Sequence, residues 1–234
     1  MARRIPEDRL PQLLDAATRV FVEQGYRRTQ MADVAAAMGV AKGTLYLYVE
    51  SKEALFDLVC RYGDQPPKSA SDVAFPVRSP KAGATLRYVR DELQRHQGVP
   101  ALGAAVARKR PGDMADEIAA IVGELYDQLA ANRRRIKLID TSARDYPELA
   151  KLWFEGARGG LLELLAGYLK ARIARGLIAP VPDVDATARL VLETIVFWAV
   201  HRHFDSRPEK VGEDVARATV VQFVVRALSS KETA

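Results

Sequence analysis

Apolar residues recur at three- and four-residue spacing along almost the whole chain, with no sustained alternation of the kind that marks a half-buried strand. The pattern predicts an all-α protein. Leu10, Leu14, Ala17 and Phe21 form a first stripe, and Pro11 marks its start, because proline is tolerated only in the first turn of a helix. Val34, Ala35 and Met38 form a second stripe, and Val40, Leu45 and Val49 continue it past a turn at Gly39-Val40-Ala41. Gly39 sits where the helix must stop, and glycine takes the positive φ of a helix C-terminus without steric penalty. Ser51 reads as the N-cap of a further helix that carries Ala54, Leu55, Leu58 and Val59 inward, with Glu53 in a first turn that favours negative charge. Two short helices sharing one core across a tight turn, with a third covering them, make a helix-turn-helix unit.

If Leu45 and Val49 face that core, Lys42, Gly43, Thr44, Tyr46, Leu47 and Tyr48 occupy the outer faces and leading edge of the second helix. Hydroxyls and ammonium groups satisfy phosphate oxygens and fix register on a duplex. A lysine in the major groove favours guanine acceptors, and an apolar or aromatic side chain favours a thymine methyl.

Residues 1–62 are therefore read as a DNA-binding domain that includes the linking helix after Ser51. Residues 63–80 hold four prolines without a sustained period and are read as a connector, part of which is expected to pack on the following domain through Val73, Phe75 and Val77. From residue 81 to 234 the chain reads as helix after helix, at about 81–97, 101–110, 113–142, 147–175, 183–204 and 209–229. Pro100, Pro111, Pro147, Pro180, Pro182 and Pro208 fall in the gaps or at the starts, and Gly176 follows a basic stretch suited to a helix C-terminus. The last two spans carry more apolar surface than one face needs, through Val191, Leu192, Ile195, Val196 and Phe197 in one and Val220, Val221, Phe223, Val224 and Leu228 in the other. A helix apolar around much of its circumference is buried on more than one side, so 183–204 and 209–229 are expected to form a homodimer contact.

The run FVEQGY, then Thr29, then GVAKGTLYLYVESKEAL resembles, in order, the DNA-binding domain of TetR-like transcriptional repressors, AcrR-like members included. Ala41 stands where that family usually has a serine, at a loss of roughly 1 kcal/mol of capping, and Val49 replaces the usual phenylalanine. The resemblance implies that Lys42 and Gly43 approach base edges and that Tyr46 packs against bases. It places Thr29, Thr44, Tyr48 and Lys52 at phosphates. It further implies that residues 81–234 are a ligand-binding and dimerisation domain, and DYPELAKLWFEGARGGLLELLAGYLKARIARGLI looks like its central long helix. The expected function is a ligand-responsive repressor. It would bind a palindromic double-stranded operator as a homodimer and be released by a small lipophilic or aromatic effector.

Candidates for touching that effector are His96, Tyr126, Trp153, Phe154, Tyr168, Phe197, Trp198 and His201, which together suggest an apolar pocket with a few hydrogen-bonding groups. Control by a protein partner, with no small effector, is the alternative; an enclosed cavity in the second domain favours the small molecule. His201 and His203 lie two apart, point to different sides of a helix and lack a third ligand, so no metal is expected, nor any cofactor. No glycine-rich phosphate loop, nucleophile elbow or helix-borne His-Glu-x-x-His is present, and no catalytic residues are assigned.

With 234 residues, 48% hydrophobic and 28% charged, the chain is long enough for two cores, and no apolar run approaches the roughly 18 residues of a membrane span. The start MARRIPEDRL lacks the apolar stretch of a secretory signal, and a lone Cys60 cannot form an internal disulfide, so a cytoplasmic setting is expected. Net charge is +5, yet residues 1–62 hold nine Lys and Arg against eight Asp and Glu. DNA binding thus rests on placement of charge rather than on its total. Arg3 and Arg4 precede the first helix and offer further phosphate attraction.

Overall fold

The computed structural model describes residues 9–63, 67, 73–96, 98–108, 110 and 112–229, without the side chain of His96. Arg3 and Arg4 lie outside the described residues. Twelve α-helices follow in chain order among those described: α1 (Arg9–Arg28), α2 (Met31–Ala37), α3 (Lys42–Leu45), α4 (Lys52–Tyr62), α5 (Ala84–His96), α6 (Pro100–Ala107), α7 (Met114–Ala131), α8 (Arg133–Ala143), α9 (Pro147–Ala150), α10 (Gly159–Ile173), α11 (Val184–Ala199) and α12 (Glu213–Ser229). A π-helical segment, Lys151–Arg158, precedes α10, and a 3₁₀ turn, His201–Phe204, follows α11. No strand occurs among the described residues, and Val49 and Val77 make one isolated parallel bridge. The helices group by packing into two compact units, Met1–Leu93 with Arg134–Trp153, and Gln94–Arg133 with Phe154–Ala234.

In the first unit the predicted stripe of α1 is buried, with Leu10, Leu14, Ala17 and Phe21 all in the core. The helix breaks at Gly25, whose φ of 78° belongs to the left-handed region, and a Cβ there would meet the Thr141 carbonyl oxygen of α8 at 3.1 Å. Gln30 is the N-cap of α2, and its backbone N–H donates to Asp33 Oδ2 at 2.8 Å. The helix stops as predicted at Gly39, with φ of 67°. Ala41 caps α3 without a side-chain acceptor, and α3 is a single turn that runs on as turns through Tyr48 N–H to Leu45 O at 2.9 Å. Ser51 Oγ accepts from the Ala54 amide at 3.1 Å, so α4 starts where the sequence predicts.

The connector corrects one expectation. Phe75 and Val77 pack on the turn before α4: Val77 N–H donates to Tyr48 O at 2.8 Å, Glu50 N–H donates to Val77 O at 3.0 Å, and the Phe75 ring stands edge-on to Tyr48. Ser79 adds a hydroxyl contact to Ser51 at 2.7 Å and donates its amide to Glu50 Oε2 at 3.0 Å. A turn between α3 and α4 with unpaired backbone groups is satisfied there by an extended segment from nearly thirty residues downstream.

In the second unit α7, α10, α11 and α12 enclose a core that includes Ile118, Ile121, Leu125, Leu165, Leu192, Ile195, Val220 and Val224. Each such side chain contributes about 1.5–3 kcal/mol on burial. The span predicted as one helix over 113–142 is two, parted at Asn132, whose side chain donates to the Gln128 carbonyl at 2.9 Å and ends α7. The span over 147–175 contains the π segment, and the one over 183–204 ends in a 3₁₀ turn after α11. No helix of the described residues is long and apolar enough to cross a membrane.

Candidate nucleic-acid interface and effector site

Leu45 and Val49 are fully buried, and this anchoring fixes which side chains of the second helix face outward. Lys42 and Gly43 are exposed at the start of α3, Thr44 is partly exposed, and Tyr46 and Leu47 are 42% and 55% exposed at its end. These five residues form one edge with a cation, a bare backbone, a hydroxyl and two large apolar groups. Gly43 has no positive φ, and a Cβ built on it meets nothing within 4 Å. The fold gives no reason for a glycine there.

Two of the expected phosphate contacts are placed elsewhere. Thr29 is 1% exposed, and its hydroxyl donates to the Gly25 carbonyl at 2.7 Å, closing the kink at the end of α1. Tyr48 is 9% exposed with its ring against Phe75. Both are packing residues in this conformation, Thr29 through the local kink at Gly25 and Tyr48 because a distant segment claims the face that local spacing leaves open. Lys52 is partly exposed; its Nζ donates to the Arg27 carbonyl at 3.1 Å and lies 4.7 Å from the centre of the Tyr26 ring. An ammonium at the carboxyl end of α1 is favoured by the helix dipole, and two of its three protons stay available to a phosphate.

Behind that edge lies an aromatic cluster that spacing alone did not single out. The Tyr26 ring stacks on Tyr146 with centroids 5.2 Å apart and lies 4.7 Å from Phe56, which meets Phe21 edge-on. Tyr26 donates its hydroxyl to Glu53 at 3.1 Å, and burial followed by the Glu53 charge pushes its pKa up, so the phenol stays a neutral donor. One turn further along α4, Asp57 accepts from Thr85 at 2.8 Å and from Arg61, whose guanidinium covers the Tyr88 ring at 4.3 Å. α4 is thus fixed to α5 directly, and through Tyr26 of α1 to Tyr146 after α8.

The effector candidates do not converge. Trp153 belongs to the first unit, where its Nε1 donates to Asp140 Oδ1 at 3.1 Å. Phe154 is partly exposed on the π segment, Phe197 is 44% exposed on α11, and the side chain of His96 lies outside the described residues. Tyr126 belongs to a polar network centred on Glu213. That carboxylate accepts from Tyr126 at 3.0 Å, from Arg133 at 2.8 Å and from buried Arg202 at 2.8 Å, and His203 Nε2 lies 3.2 Å from it. Trp198 contributes its carbonyl to Arg202 at 2.7 Å, and His201 opens the adjoining 3₁₀ turn. Burial, then Arg133 and Arg202, lower the His203 pKa, whereas the Glu213 pKa is also lowered, there by its donors overcoming burial.

A small apolar cleft, with a cavity volume of only about 20 Å³, lies among α7, α10, α11 and α12. Of the candidates only Tyr168 lines it; the rest of the wall includes Ile118, Ile121, Leu165, Ala188, Val191 and Val224. No spacing signal marks this wall as different from core, because every residue in it is one that packing alone would select.

An exposed lysine, glycine and tyrosine edge on the second helix of a two-helix unit, carried by an all-α chain, defines a helix-turn-helix DNA-binding regulator. Residues 13–59 match the sequence profile of the bacterial regulatory proteins of the tetR family. The chain therefore carries, near its start, a domain similar to the DNA-binding domain of TetR-like transcriptional regulators. It is 21% identical over 194 residues to the fatty acid metabolism regulator protein of Bacillus subtilis (strain 168), covering 81% of this chain and 83% of that protein. To the transcriptional repressor KstR2 of Rhodococcus jostii (strain RHA1) it is 42% identical over 53 residues, 23% of this chain and 26% of the repressor. Among solved structures, the ketosteroid transcriptional regulator KstR2 of Mycobacterium tuberculosis superposes with a TM-score of 0.56 at 18% identity, over 97% of this chain and 98% of that one. The regulator AibR, solved with isovaleryl coenzyme A and operator DNA, superposes with a TM-score of 0.52 at 16% identity, over 94% and 98% of the two chains. These two superpositions establish the shared fold.

Proposed function

We propose that the protein is a ligand-responsive repressor that binds a palindromic operator as a homodimer and is released by a small lipophilic effector. The observation that carries this reading is the exposed edge of Lys42, Gly43, Tyr46 and Leu47, in which a glycine with room for a side chain stands between a cation and two exposed apolar groups. A base pair or phosphate approaching that backbone supplies the reason for glycine that the fold lacks. Lys42 reads a base edge, Tyr46 and Leu47 meet thymine methyl groups, and Thr44 and Lys52 hold phosphates. Residues 1–62 act as the reading domain, and residues 81–234 carry effector binding and dimerisation.

Two reading heads are needed for a palindrome, and α11 and α12 supply the surface for pairing them. Leu190 and Phe197 on α11 and Val215 and Phe223 on α12 remain exposed although the opposite faces of both helices are buried. Large apolar groups in such a row are matched by the same row on a second copy. A relative named as a fatty acid metabolism regulator supports a small lipophilic effector over a protein partner.

Release is a population shift: the effector binds best to a conformation in which the heads no longer match successive major grooves. α4 carries the motion, since its contacts with α5 and the Tyr26–Tyr146 stack fix the reading domain to the segments that continue along the chain into the second unit. Selection of bound duplexes from random DNA tests the reading. Enrichment of an inverted repeat with half-sites about 34–36 Å apart is expected, and a pool without any enriched repeat would refute it.

A further inference from the structure

Lys52 is held at two points before any duplex arrives. Its Nζ donates to the Arg27 carbonyl at 3.1 Å and lies over the Tyr26 ring, 4.7 Å from the centroid. A free lysine samples many rotamers, and one that must be ordered on binding lowers affinity by the freedom it loses. Here a carbonyl and a ring face select the rotamer in advance.

That ring is itself fixed. It stacks on Tyr146 with centroids 5.2 Å apart and an angle of 27° between the planes, and it lies 4.7 Å from Phe56. At its tip the hydroxyl donates to Glu53 Oε1 at 3.1 Å, and burial followed by the Glu53 charge pushes the phenol pKa up, so the donor keeps its proton. Ring position is thereby set at the face by Tyr146 and at the tip by Glu53. Packing accounts for the contact with Phe56, but an apolar side chain of similar size would pack there as well. It would offer Lys52 no negative ring face and Glu53 no proton. Tyr146 lies in the turn between α8 and α9 and enters this cluster from far along the chain. One stack therefore links the segment after α8 to a lysine at the start of α4.

We infer that Tyr26 is a positioning residue for the phosphate contact of Lys52, and that Tyr146 acts on the same contact by seating the Tyr26 ring. This rests on the proposal that Lys52 holds a phosphate and adds two residues that act without touching the duplex. Loss of the ring face releases the lysine to other rotamers and leaves its charge in place, whereas loss of Lys52 removes the contact itself.

A double-mutant cycle on the full chain tests the inference, read by gel-shift titration on the duplex recovered by selection. Tyr26→Leu should weaken binding about threefold per reading head, or about tenfold for a dimer, in keeping with a cation–π contact at a partly exposed site. In a Lys52→Ala background the same substitution should change affinity by less than about twofold, because no ammonium is left to position. Tyr26→Phe keeps the ring face and should bind as the unaltered chain does. Tyr146→Ala should follow Tyr26→Leu in direction and in its dependence on Lys52, and Tyr146→Phe, which keeps a ring to stack, should restore affinity. A residue that merely packs costs the same with Lys52 as without it. Equal losses in the two backgrounds would therefore overturn the inference, as would a Tyr26→Phe variant as weak as Tyr26→Leu. Where Tyr26→Leu does not fold, the Tyr146 variants complete the cycle. The underlying reading is checked apart: Lys52→Ala with an unaltered salt slope would remove the phosphate contact and the inference with it, whereas a reduced slope alongside equal losses would overturn the positioning role alone.

Discussion

Replacing Gly43 by alanine separates what the fold needs from what the duplex needs, because the two effects have opposite sign. The position is helical, without positive φ, and a Cβ there meets no atom within 4 Å. Alanine in place of glycine at such a site stabilises by about 0.4–1 kcal/mol, chiefly by restricting the unfolded chain. In a chain of this length that corresponds to a rise in Tm of about 1–4 °C. On DNA the same methyl occupies the gap between the α3 backbone and the base edges. Overpacking a fitted contact costs about 1–3 kcal/mol, and a dimer meets that cost at both half-sites. Operator affinity should therefore fall on the order of 30-fold or more, while the protein melts at a higher temperature. Thermal melting and a gel-shift titration on the selected operator read the two quantities. Unchanged affinity would refute close approach at Gly43, and a lower Tm would refute the open surroundings assigned to it.

Lys52→Ala should weaken binding to all sequences alike and reduce the salt slope by about one unit per reading head, whereas Lys42→Ala should change which operators are selected; an unaltered slope for the first would remove Lys52 from the phosphates. Thr29→Val should lower stability by about 1 kcal/mol through the lost hydrogen bond to Gly25 and leave the salt slope untouched, which a gel-shift series over salt concentration checks. Acid should destabilise the second unit in two stages. His203 has its pKa lowered from 6.5 in the folded state, so the unfolded chain binds the proton first, and stability present above about pH 6.5 declines as pH falls toward the folded value; Glu213, lowered from 4.5, extends the loss at more acid pH by the same sign. Melting curves of His203→Gln should be flatter between pH 7 and 5.5 than those of the unaltered chain, and equal slopes would count against this assignment. Phe223→Asp, which places a charge in the exposed row of α12, should yield monomers by light scattering and abolish binding to a full palindrome while the helical content stays the same; a dimer that persists would relocate the interface.

What could be read from the sequence was set by the distance over which each contact acts. Gly39 and Ser51 do their work within four residues of themselves, and both appear in the structure in the roles their types imply, a left-handed turn and an N-cap. The stripes of α1 and α4 are local in the same sense, since period alone selects their buried faces. Thr29 and Tyr48 look outward by that same local rule. They turn inward because Gly25 kinks α1 and because Phe75 and Val77 return from the connector to cover the turn before α4. The Glu117–Arg172 pair, 55 residues apart, and the Arg133–Glu213 pair, 80 apart, have no signature in any window of the sequence. Each member alone reads as an ordinary surface charge. Aromatic side chains do not by themselves mark an effector site, because size and hydrogen-bonding capacity suit a packing role equally well, as in the Tyr126 contact with Glu213. The exposed edge, Lys42, Gly43, Tyr46 and Leu47, is made of residues that no distant segment covers among the described residues. A two-helix unit spends its buried residues on its own core, so an uncovered tyrosine, leucine and glycine side by side are better explained by a surface that arrives from outside the chain than by anything within it.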